Sequence, residues 1–114
     1  MADTKGSGVW IVAEARRGKL LPTAFELLTA AKSIAAPRQE SVTAVVLGPA
    51  DGVEALAAGG ASRVLVLEGV PDFVDDACAA ALAAAAKSGG PRTILLASGV
   101  FGRSVAPRLA VALG

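Results

Sequence analysis

The chain has 114 residues, of which 54% are apolar and only 4% aromatic, and its formal net charge is +1. This length and composition predict one domain with a core of small side chains and argue against disorder. A net charge this small provides no field for a polyanion, which excludes nucleic acid as a partner.

The residue types that carry most catalytic and metal chemistry are scarce. The chain has no histidine and no tyrosine, and Cys78 is its one cysteine. These counts exclude Ser-His-Asp catalysis, the common zinc ligand sets and an intrachain disulfide framework. Cys78 lies in an alanine-rich run, where we expect a small buried hydrophobe and not a nucleophile. We predict a protein that is not an enzyme and has no metal site.

The N-terminal segment and the apolar runs carry no membrane signal. Residues 1–8 are polar and contain both charge signs, unlike a secretory signal. The apolar run 9–13 is far too short to span a bilayer, and the alanine block 77–86 is neither long nor hydrophobic enough. We expect no membrane insertion and a cytoplasmic location.

The first strand is predicted at residues 9–13, with apolar side chains on both faces, so it should be central in a sheet. Trp10 is expected to anchor a helix against that sheet. Residues 14–21 form a loop, in which the basic cluster of Arg16, Arg17 and Lys19 is expected to be solvated.

A helix is predicted from Pro22 or Thr23 to the stop at Pro37. Thr23 and Glu26 have the spacing of a capping box. An inner stripe is expected to run from Phe25 through Leu28 and residues 31–32 to residues 34–35.

The middle of the chain continues this alternation. Strands are predicted at residues 42–47 and 63–67, with a short helix between them that opens at Pro49 or Asp51 and ends before Gly59 and Gly60. A longer helix should start at residues 71–72 and end before residues 88–91. Its expected shared face is formed by Phe73, Ala77, Ala81 and Ala84.

The C-terminal stretch is predicted to be a buried strand at residues 93–97, a glycine loop and a final helix. Gly99 and Gly102 are expected to allow tight turning and close backbone approach. The helix should bury Val105, Leu109 and Ala112 or Leu113, with a C-cap at Gly114. Because strands and helices alternate throughout, an α/β fold with a parallel sheet follows.

Two groups of residues are candidates for a site. The dinucleotide fingerprint and the P-loop are absent, and the nearest anion-binding segment is residues 98–104. The weak cofactor-site candidates within it are Gly99, Gly102, Arg103 and Ser104; the alternative is that the glycines serve packing and Arg103 pairs with an acidic group or a carbonyl. Glu14 follows the first strand at the carboxyl edge of the sheet, where loop anchoring or an interface is the favoured role.

A second acidic group has a simple interpretation. Asp72, Asp75 and Asp76 fall at the start of the predicted third helix, where negative charge complements the helix dipole, and this is favoured over a metal site.

Several segments, taken in order, resemble the N-terminal domain of the electron-transfer flavoprotein alpha subunit. The resemblance covers nearly the whole chain and departs from the family at Ser104, where an acidic residue is usual. The segments are residues 11–14, the basic loop with Gly18-Lys19-Leu20, Glu26-Leu27-Leu28, residues 42–48 and 60–66, and the final Gly102-Arg103 and Ala106-Pro107-Arg108-Leu109-Ala110.

The resemblance implies a three-layer α/β/α sandwich of the Rossmann-like, adenine-nucleotide-hydrolase-like type with strand order 3-2-1-4. It also implies a heterodimer with a beta subunit, which binds the family's AMP, and electron transfer from flavin dehydrogenases, such as those of fatty acid beta-oxidation, to a quinone oxidoreductase. The family's FAD belongs to a C-terminal domain that is absent from residues 1–114, so we expect no FAD on this chain. An uncovered sheet edge should then favour self-association. The alternative function is a small nucleotide-binding module of the universal-stress type.

Overall fold

The computed structural model describes residues 6–48, 50–70 and 74–114. Their order along the chain is an alternation of strands and helices, as the sequence predicts. The elements are β1 (Val9–Ala13), β2 (Ala15–Arg16), β3 (Lys19–Leu20), α1 (Thr23–Ala35), a 3-10 helix (Ala36–Arg38), β4 (Val42–Leu47), α2 (Glu54–Ala58), β5 (Arg63–Leu67), α3 (Asp75–Gly89), β6 (Thr93–Leu95) and α4 (Val100–Leu113).

The main sheet has four parallel strands in the order β5-β4-β1-β6. When only the four strands of this sheet are numbered along the chain, their spatial order is 3-2-1-4, as predicted. Strand β1 is central and all five of its residues are buried, because both of its faces are apolar and each face is covered by helices. The fold class is therefore confirmed.

Two hydrophobic clusters lie on opposite faces of the sheet. One contains Ile11 of β1 with Leu28 of α1 and Leu56 of α2. The other contains Trp10 of β1 with Leu82 of α3 and Val105 of α4. Because alternate β1 residues point to opposite faces, the same five residues support both layers. The role predicted for Trp10, which is to hold a helix on the sheet, is confirmed.

Helix α1 differs from the prediction in its start and in its buried face. Pro22 is the N-cap residue and no side chain caps the helix, so the capping box predicted from Thr23 and Glu26 is wrong. Thr23 is already the first helical residue. The buried positions are Ala24, Leu28, Ala31 and Ala35, at helical spacing, whereas Phe25 is 38% exposed.

Helix α3 turns a different face to the core than its alanine pattern predicts. Of the predicted face, Ala77 and Ala81 are only partly buried and Ala84 is exposed, while Phe73 and the predicted start at residues 71–72 lie outside the described residues. The core positions are Cys78, Ala79, Leu82, Ala83 and Ala86. In a helix made largely of alanine, the faces differ little in hydrophobicity, so the sequence pattern does not identify the inner face. The large side chain of Leu82 determines which face is buried. Cys78 is buried, as expected.

Other element ends shift by a few residues. Helix α2 begins at Glu54, after the predicted start at Asp51; Pro49 lies outside the described residues. Strand β6 ends at Leu95, and α4 begins at Val100, so Gly102 to Ser104 are helical and not part of a loop. Helix α4 buries Val105 and Leu109 as predicted, but Ala112 and Leu113 are exposed. Gly114 is the C-cap.

An ion pair joins the amino-terminal ends of the strands on either side of β1. The Nε and Nη2 atoms of Arg92, just before β6, donate to the two carboxylate oxygens of Glu40, before β4, at 2.8 and 2.6 Å. The Glu40 side chain is only 7% exposed and that of Arg92 is 32% exposed. A bidentate pair of this kind is among the stronger side-chain interactions.

We expect Arg92→Ala to lower the free energy of unfolding by about 2 kcal/mol, because it leaves a largely buried carboxylate without its cation. Urea denaturation followed by circular dichroism measures this loss. The double variant Arg92→Ala/Glu40→Ala should lose less than the sum of the single losses. A loss below about 0.5 kcal/mol for Arg92→Ala would contradict this account.

Candidate functional site

The fold places one topological switch point between β1 and β6. The chain leaves β1 towards β4 on one side and reaches β6 on the other side by way of α3, so loops diverge at the carboxyl ends of these two strands. Open α/β sheets bind ligands and partners at such points. The residues after β1 and after β6 are therefore the candidates for a binding site.

A cleft of 710 Å³ opens at this switch point. It is formed where the starts of three helices converge on the ends of two strands, and its residues come from four separate segments. The lining residues are Glu14 and Arg16 after β1, Leu21 and Thr23 at α1, Asp75 at α3, and Ala97, Ser98, Gly99, Val100 and Phe101 between β6 and α4.

Glu14 is a half-buried titratable group of this cleft. Burial raises the pKa of its carboxyl above the ordinary value, and the nearby Arg16 guanidinium partly opposes this shift. Glu14 lies at the carboxyl edge predicted from the sequence. Its backbone carbonyl accepts a hydrogen bond from the amide of Leu21 at 2.8 Å, which closes the intervening loop. This bond fits the loop-anchoring role, and the interface role stays a prediction.

That loop is a small antiparallel hairpin of β2 and β3, which the sequence analysis missed. Arg17 and Gly18 at its tip have φ values of 53° and 76°. Positive φ at both central residues defines the hairpin turn that favours Asn-Gly or Gly-Gly, and an arginine in the first position hides the signal. Arg16, Arg17 and Lys19 are exposed, as expected for a solvated basic cluster.

The glycines before and within α4 have different roles. A Cβ on Gly102 would lie 1.8 Å from the carbonyl oxygen of Ala97, so only glycine fits where the helix folds back on the end of β6. A Cβ on Gly99 would meet no atom within 4 Å, and its φ of −93° suits any residue. The predicted close approach is therefore confirmed at Gly102 and is wrong at Gly99.

The four anion-site candidates do not converge on one point. Gly99 lines the cleft at the switch point, whereas Gly102 and Arg103 line a different groove between β6 and α4. The hydroxyl of Ser104 accepts a hydrogen bond from Nη1 of Arg108 at 2.7 Å, so this hydroxyl is engaged by a neighbour within α4. Binding of an anion by these residues stays a prediction.

The acidic residues of α3 lie where the sequence places them. Asp75 and Asp76 are in its first turn, and Oδ1 of Asp76 accepts a hydrogen bond from Nε of Arg108 at 2.7 Å, which links α3 to α4. Asp72 lies outside the described residues. Within residues 6–48, 50–70 and 74–114, no three acidic or cysteine side chains form a group that could hold a metal ion. No helix of the described chain is long and apolar enough to cross a bilayer.

The cleft offers binding groups but little reactive chemistry. Its polar side chains are two carboxyls, one guanidinium and the hydroxyls of Thr23 and Ser98. Among the described residues that line the cleft, Arg16 is the one cation beside the carboxyls of Glu14 and Asp75, and this balance disfavours a phosphate there. The sequence identified Glu14 and the Ser98–Gly99 segment. It placed Asp75 at a helix start but not at this cleft, and it gave no signal for Leu21 or Phe101; these three residues reach the cleft only through the tertiary fold.

We expect Glu14→Gln to be increasingly stabilising relative to the wild type as the pH rises. With a pKa raised in the folded state, Glu14 favours folding when protonated, and this contribution is lost as the pH rises from the ordinary glutamate pKa through the raised one. Urea denaturation of both proteins across that pH range measures the difference. The control Ser98→Ala, in the same cleft, should leave the slope of stability against pH unchanged. Parallel curves for wild type and Glu14→Gln would contradict the burial of this carboxyl.

The four parallel strands and the switch-point cleft define a doubly wound α/β domain. A family model described as "Electron transfer flavoprotein domain" matches residues 9–114. The chain belongs to the electron transfer flavoprotein family, as the sequence predicts.

Three relatives are similar to most of this chain. Protein FixB of Clostridium saccharobutylicum is 32% identical over 99% of the chain. The electron transfer flavoprotein subunit alpha of Thermoanaerobacterium thermosaccharolyticum is 34% identical over 90% of it, and the acryloyl-CoA reductase electron transfer subunit beta of Anaerotignum propionicum is 29% identical over 92%. The matches cover 34%, 32% and 30% of these relatives, so the chain spans about a third of their length.

Proposed function

We propose that this chain is the N-terminal scaffold domain of an electron-transfer flavoprotein alpha subunit in the bacterial cytoplasm. It packs against a beta subunit and supports a flavin domain, while holding no FAD within residues 1–114. The heterodimer passes electrons from flavin dehydrogenases, such as those that act on acyl-CoA in fatty acid beta-oxidation, to a quinone oxidoreductase. The observation that carries the proposal is the family match over residues 9–114, together with the FixB and alpha-subunit relatives.

Proteins of this family carry FAD, and the residues of the switch-point cleft do not fit that cofactor. The pyrophosphate of FAD needs clustered backbone amides or cations, whereas Glu14 and Asp75 place two carboxyls in the cleft. The space beside Gly102, where a dinucleotide-binding glycine would let a ligand approach, is filled by the carbonyl of Ala97. Both features support a scaffold role for the bend after β6.

A flavin-retention experiment tests the proposal. The purified chain is incubated with FAD and desalted, and its visible spectrum is recorded beside that of the full-length Thermoanaerobacterium thermosaccharolyticum alpha subunit with its beta subunit. We expect flavin absorption in the control only. Stoichiometric flavin on the 114-residue chain would overturn the proposal.

The beta-subunit contact has its own test. The chain is mixed with a bacterial electron-transfer flavoprotein beta subunit and passed over a size-exclusion column. Co-elution is expected, and separate elution at micromolar concentrations would contradict the scaffold role. The same column run on the chain alone reports the predicted self-association.

A second candidate is a free-standing nucleotide-binding module of the universal-stress type. The observation in its favour is the 710 Å³ cleft beside Ser98 and the first turn of α4. Millimolar ATP or AMP would then raise the melting temperature, because a ligand of the native state stabilises it. The scaffold proposal predicts no shift, and a shift that Ser98→Ala or Arg16→Gln weakens would favour the nucleotide module.

A further inference from the structure

The hairpin of β2 and β3 concentrates positive charge. Of residues 16–19, three are cationic, namely Arg16, Arg17 and Lys19, and all three are exposed. The chain as a whole has a net charge of only +1, so these cations are not part of a general excess. Exposure alone is typical of a solvated turn, but the backbone conformation of this hairpin and its unpaired cations are not.

Arg17 has a backbone conformation that arginine rarely adopts. Its φ of 53° lies in the left-handed region, and among the described residues Gln39 is the only other non-glycine with a positive φ. Gln39 ends the 3-10 helix, a common position for this conformation. Arg17 instead holds the first central position of a two-residue hairpin turn, where asparagine, aspartate or glycine is favoured. Its side chain makes no ion pair or hydrogen bond within the described residues, so no such contact inside the domain offsets the conformational cost.

The hairpin is fixed to the rest of the domain at its base and at its tip. At the base, the amide of Leu21 donates to the carbonyl oxygen of Glu14 at 2.8 Å. At the tip, the amide of Asp51, after β4, donates to the carbonyl oxygen of Gly18 at 2.6 Å, and Asp51 forms an isolated bridge with Lys19. The turn is therefore presented on a backbone that is held from both sides. Such preorganisation lowers the entropy that is lost when a partner binds.

Two of the three cations are unpaired within the described part of the chain. Arg16 interacts electrostatically with Glu14. Arg17 and Lys19 form no ion pair with any described residue, although the backbone of Asp51 lies beside Lys19. A polypeptide that packs on the hairpin removes water from these charges, which is unfavourable unless that polypeptide supplies carboxylates. This requirement follows from residues 14–21 and 51, and it holds for any polypeptide that covers the hairpin.

We propose that the β2–β3 hairpin docks on an acidic surface of a partner protein, with Arg17 as the anchor and Lys19 as a second contact. The planar guanidinium of an arginine binds a carboxylate through two parallel hydrogen bonds, and arginine is enriched among the residues that dominate interfaces. A lipid surface is a poorer partner, because residues 16–19 contain no apolar side chain to insert and a few cations alone give an affinity weaker than about millimolar. The inference does not depend on the electron-transfer assignment.

A fluorescein-labelled peptide of alternating glutamate and glycine tests the proposal, and the matched probe carries glutamine in place of glutamate. Fluorescence anisotropy at low ionic strength should show that the 114-residue chain binds only the glutamate peptide, and about 0.5 M NaCl should abolish this binding. Arg17→Asn should weaken the binding about fivefold, the upper size of one exposed ion pair. Arg17→Lys, which keeps the charge, should retain most of it. Binding of both probes, or of neither, would overturn the proposal.

Matched variants separate docking from a general charge effect and from folding. Arg38→Asn removes a cation that is exposed in the 3-10 helix, near the amino-terminal end of β4, and should leave peptide binding unchanged. Arg17→Asn should have a melting temperature equal to or above that of the wild type, because asparagine adopts the left-handed backbone conformation more readily than arginine. Equal losses of binding in Arg17→Asn and Arg38→Asn, or a lowered melting temperature in Arg17→Asn, would overturn the proposal.

Vesicles test the remaining alternative, which is a lipid surface. Sedimentation with phosphatidylcholine vesicles that contain about one-third phosphatidylserine should leave the chain in the supernatant at about millimolar lipid. Co-sedimentation that Arg17→Asn prevents would assign the hairpin to a membrane surface and overturn the proposal.

Discussion

Gly102→Ala is expected to lower the free energy of unfolding by about 3 kcal/mol and the melting temperature by roughly 10 °C. The added methyl would lie 1.8 Å from the carbonyl oxygen and 3.0 Å from the carbonyl carbon of Ala97. These are backbone atoms, so no side-chain rotation relieves the clash. Either the first turn of α4 or the end of β6 must move, and the packing of both on β1 is weakened. Urea and thermal denaturation followed by far-ultraviolet circular dichroism measure the loss.

Gly99→Ala is the matched control for this substitution. Its new methyl meets no atom within 4 Å, and its backbone lies in the extended region. Alanine is a somewhat poorer N-cap than glycine, but it also reduces the entropy of the unfolded chain, and these effects nearly cancel. We expect a change within about 0.5 kcal/mol. Equal stability of Gly102→Ala and Gly99→Ala would contradict a packing role for Gly102.

The variants Gly102→Ala and Gly99→Ala also distinguish two functions for the segment between β6 and α4. If this segment is only a scaffold, Gly102→Ala lowers the stability of the free protein, and adenine nucleotides change the stability of neither variant. A nucleotide site at the cleft would instead show a ligand-dependent loss at Gly99, which lines that cleft. The scaffold role proposed above therefore predicts a stability effect at one glycine and a ligand effect at neither.

The sequence was sufficient for the sheet because each strand is a short apolar run between glycine, proline or charged residues. Strands β1, β4 and β5 have the predicted ends, and β6 is two residues shorter. The strand order came from the family resemblance, since hydrophobic periodicity does not rank parallel strands. The buried faces of the helices were harder to predict from the sequence. In α3 nearly every position is alanine, so the inner face depends on which neighbour accommodates Leu82 and Trp10, and only the tertiary structure decides that.

The candidate site was predictable only where a single segment defines it. Glu14 follows a strand directly, and Ser98 and Gly99 lie in the glycine-containing loop before α4, so local patterns pointed to both. The other walls of the cleft come from Leu21, Asp75 and Phe101, which belong to three different helix starts. No local pattern brings these together, because their proximity results from the crossover of the chain at the switch point.

The contact between Trp10 and Gly89 leads to the second large prediction. Trp10 is 3% exposed, and a Cβ on Gly89, the last residue of α3, would lie 2.5 Å from Cζ2 of the indole ring. In an unobstructed helix, replacing glycine by alanine stabilises the fold by up to about 1 kcal/mol. Here we expect Gly89→Ala to destabilise it by about 2 kcal/mol, because the ring is rigid and held between the sheet and α3.

Truncating the indole should reverse the sign of that effect. Trp10→Ala is expected to cost about 4 kcal/mol by leaving a cavity beneath α3, and Trp10→Leu somewhat less. In the Trp10→Leu background, Gly89→Ala no longer meets the ring and should be neutral or stabilising, which gives a coupling energy of about 2 kcal/mol in a double-mutant cycle. Ser88→Ala, at the neighbouring exposed position, should have the same small effect in both backgrounds. Strict additivity of Trp10→Leu and Gly89→Ala would show that the glycine is not required by the indole, and that α3 approaches the sheet closely for another reason.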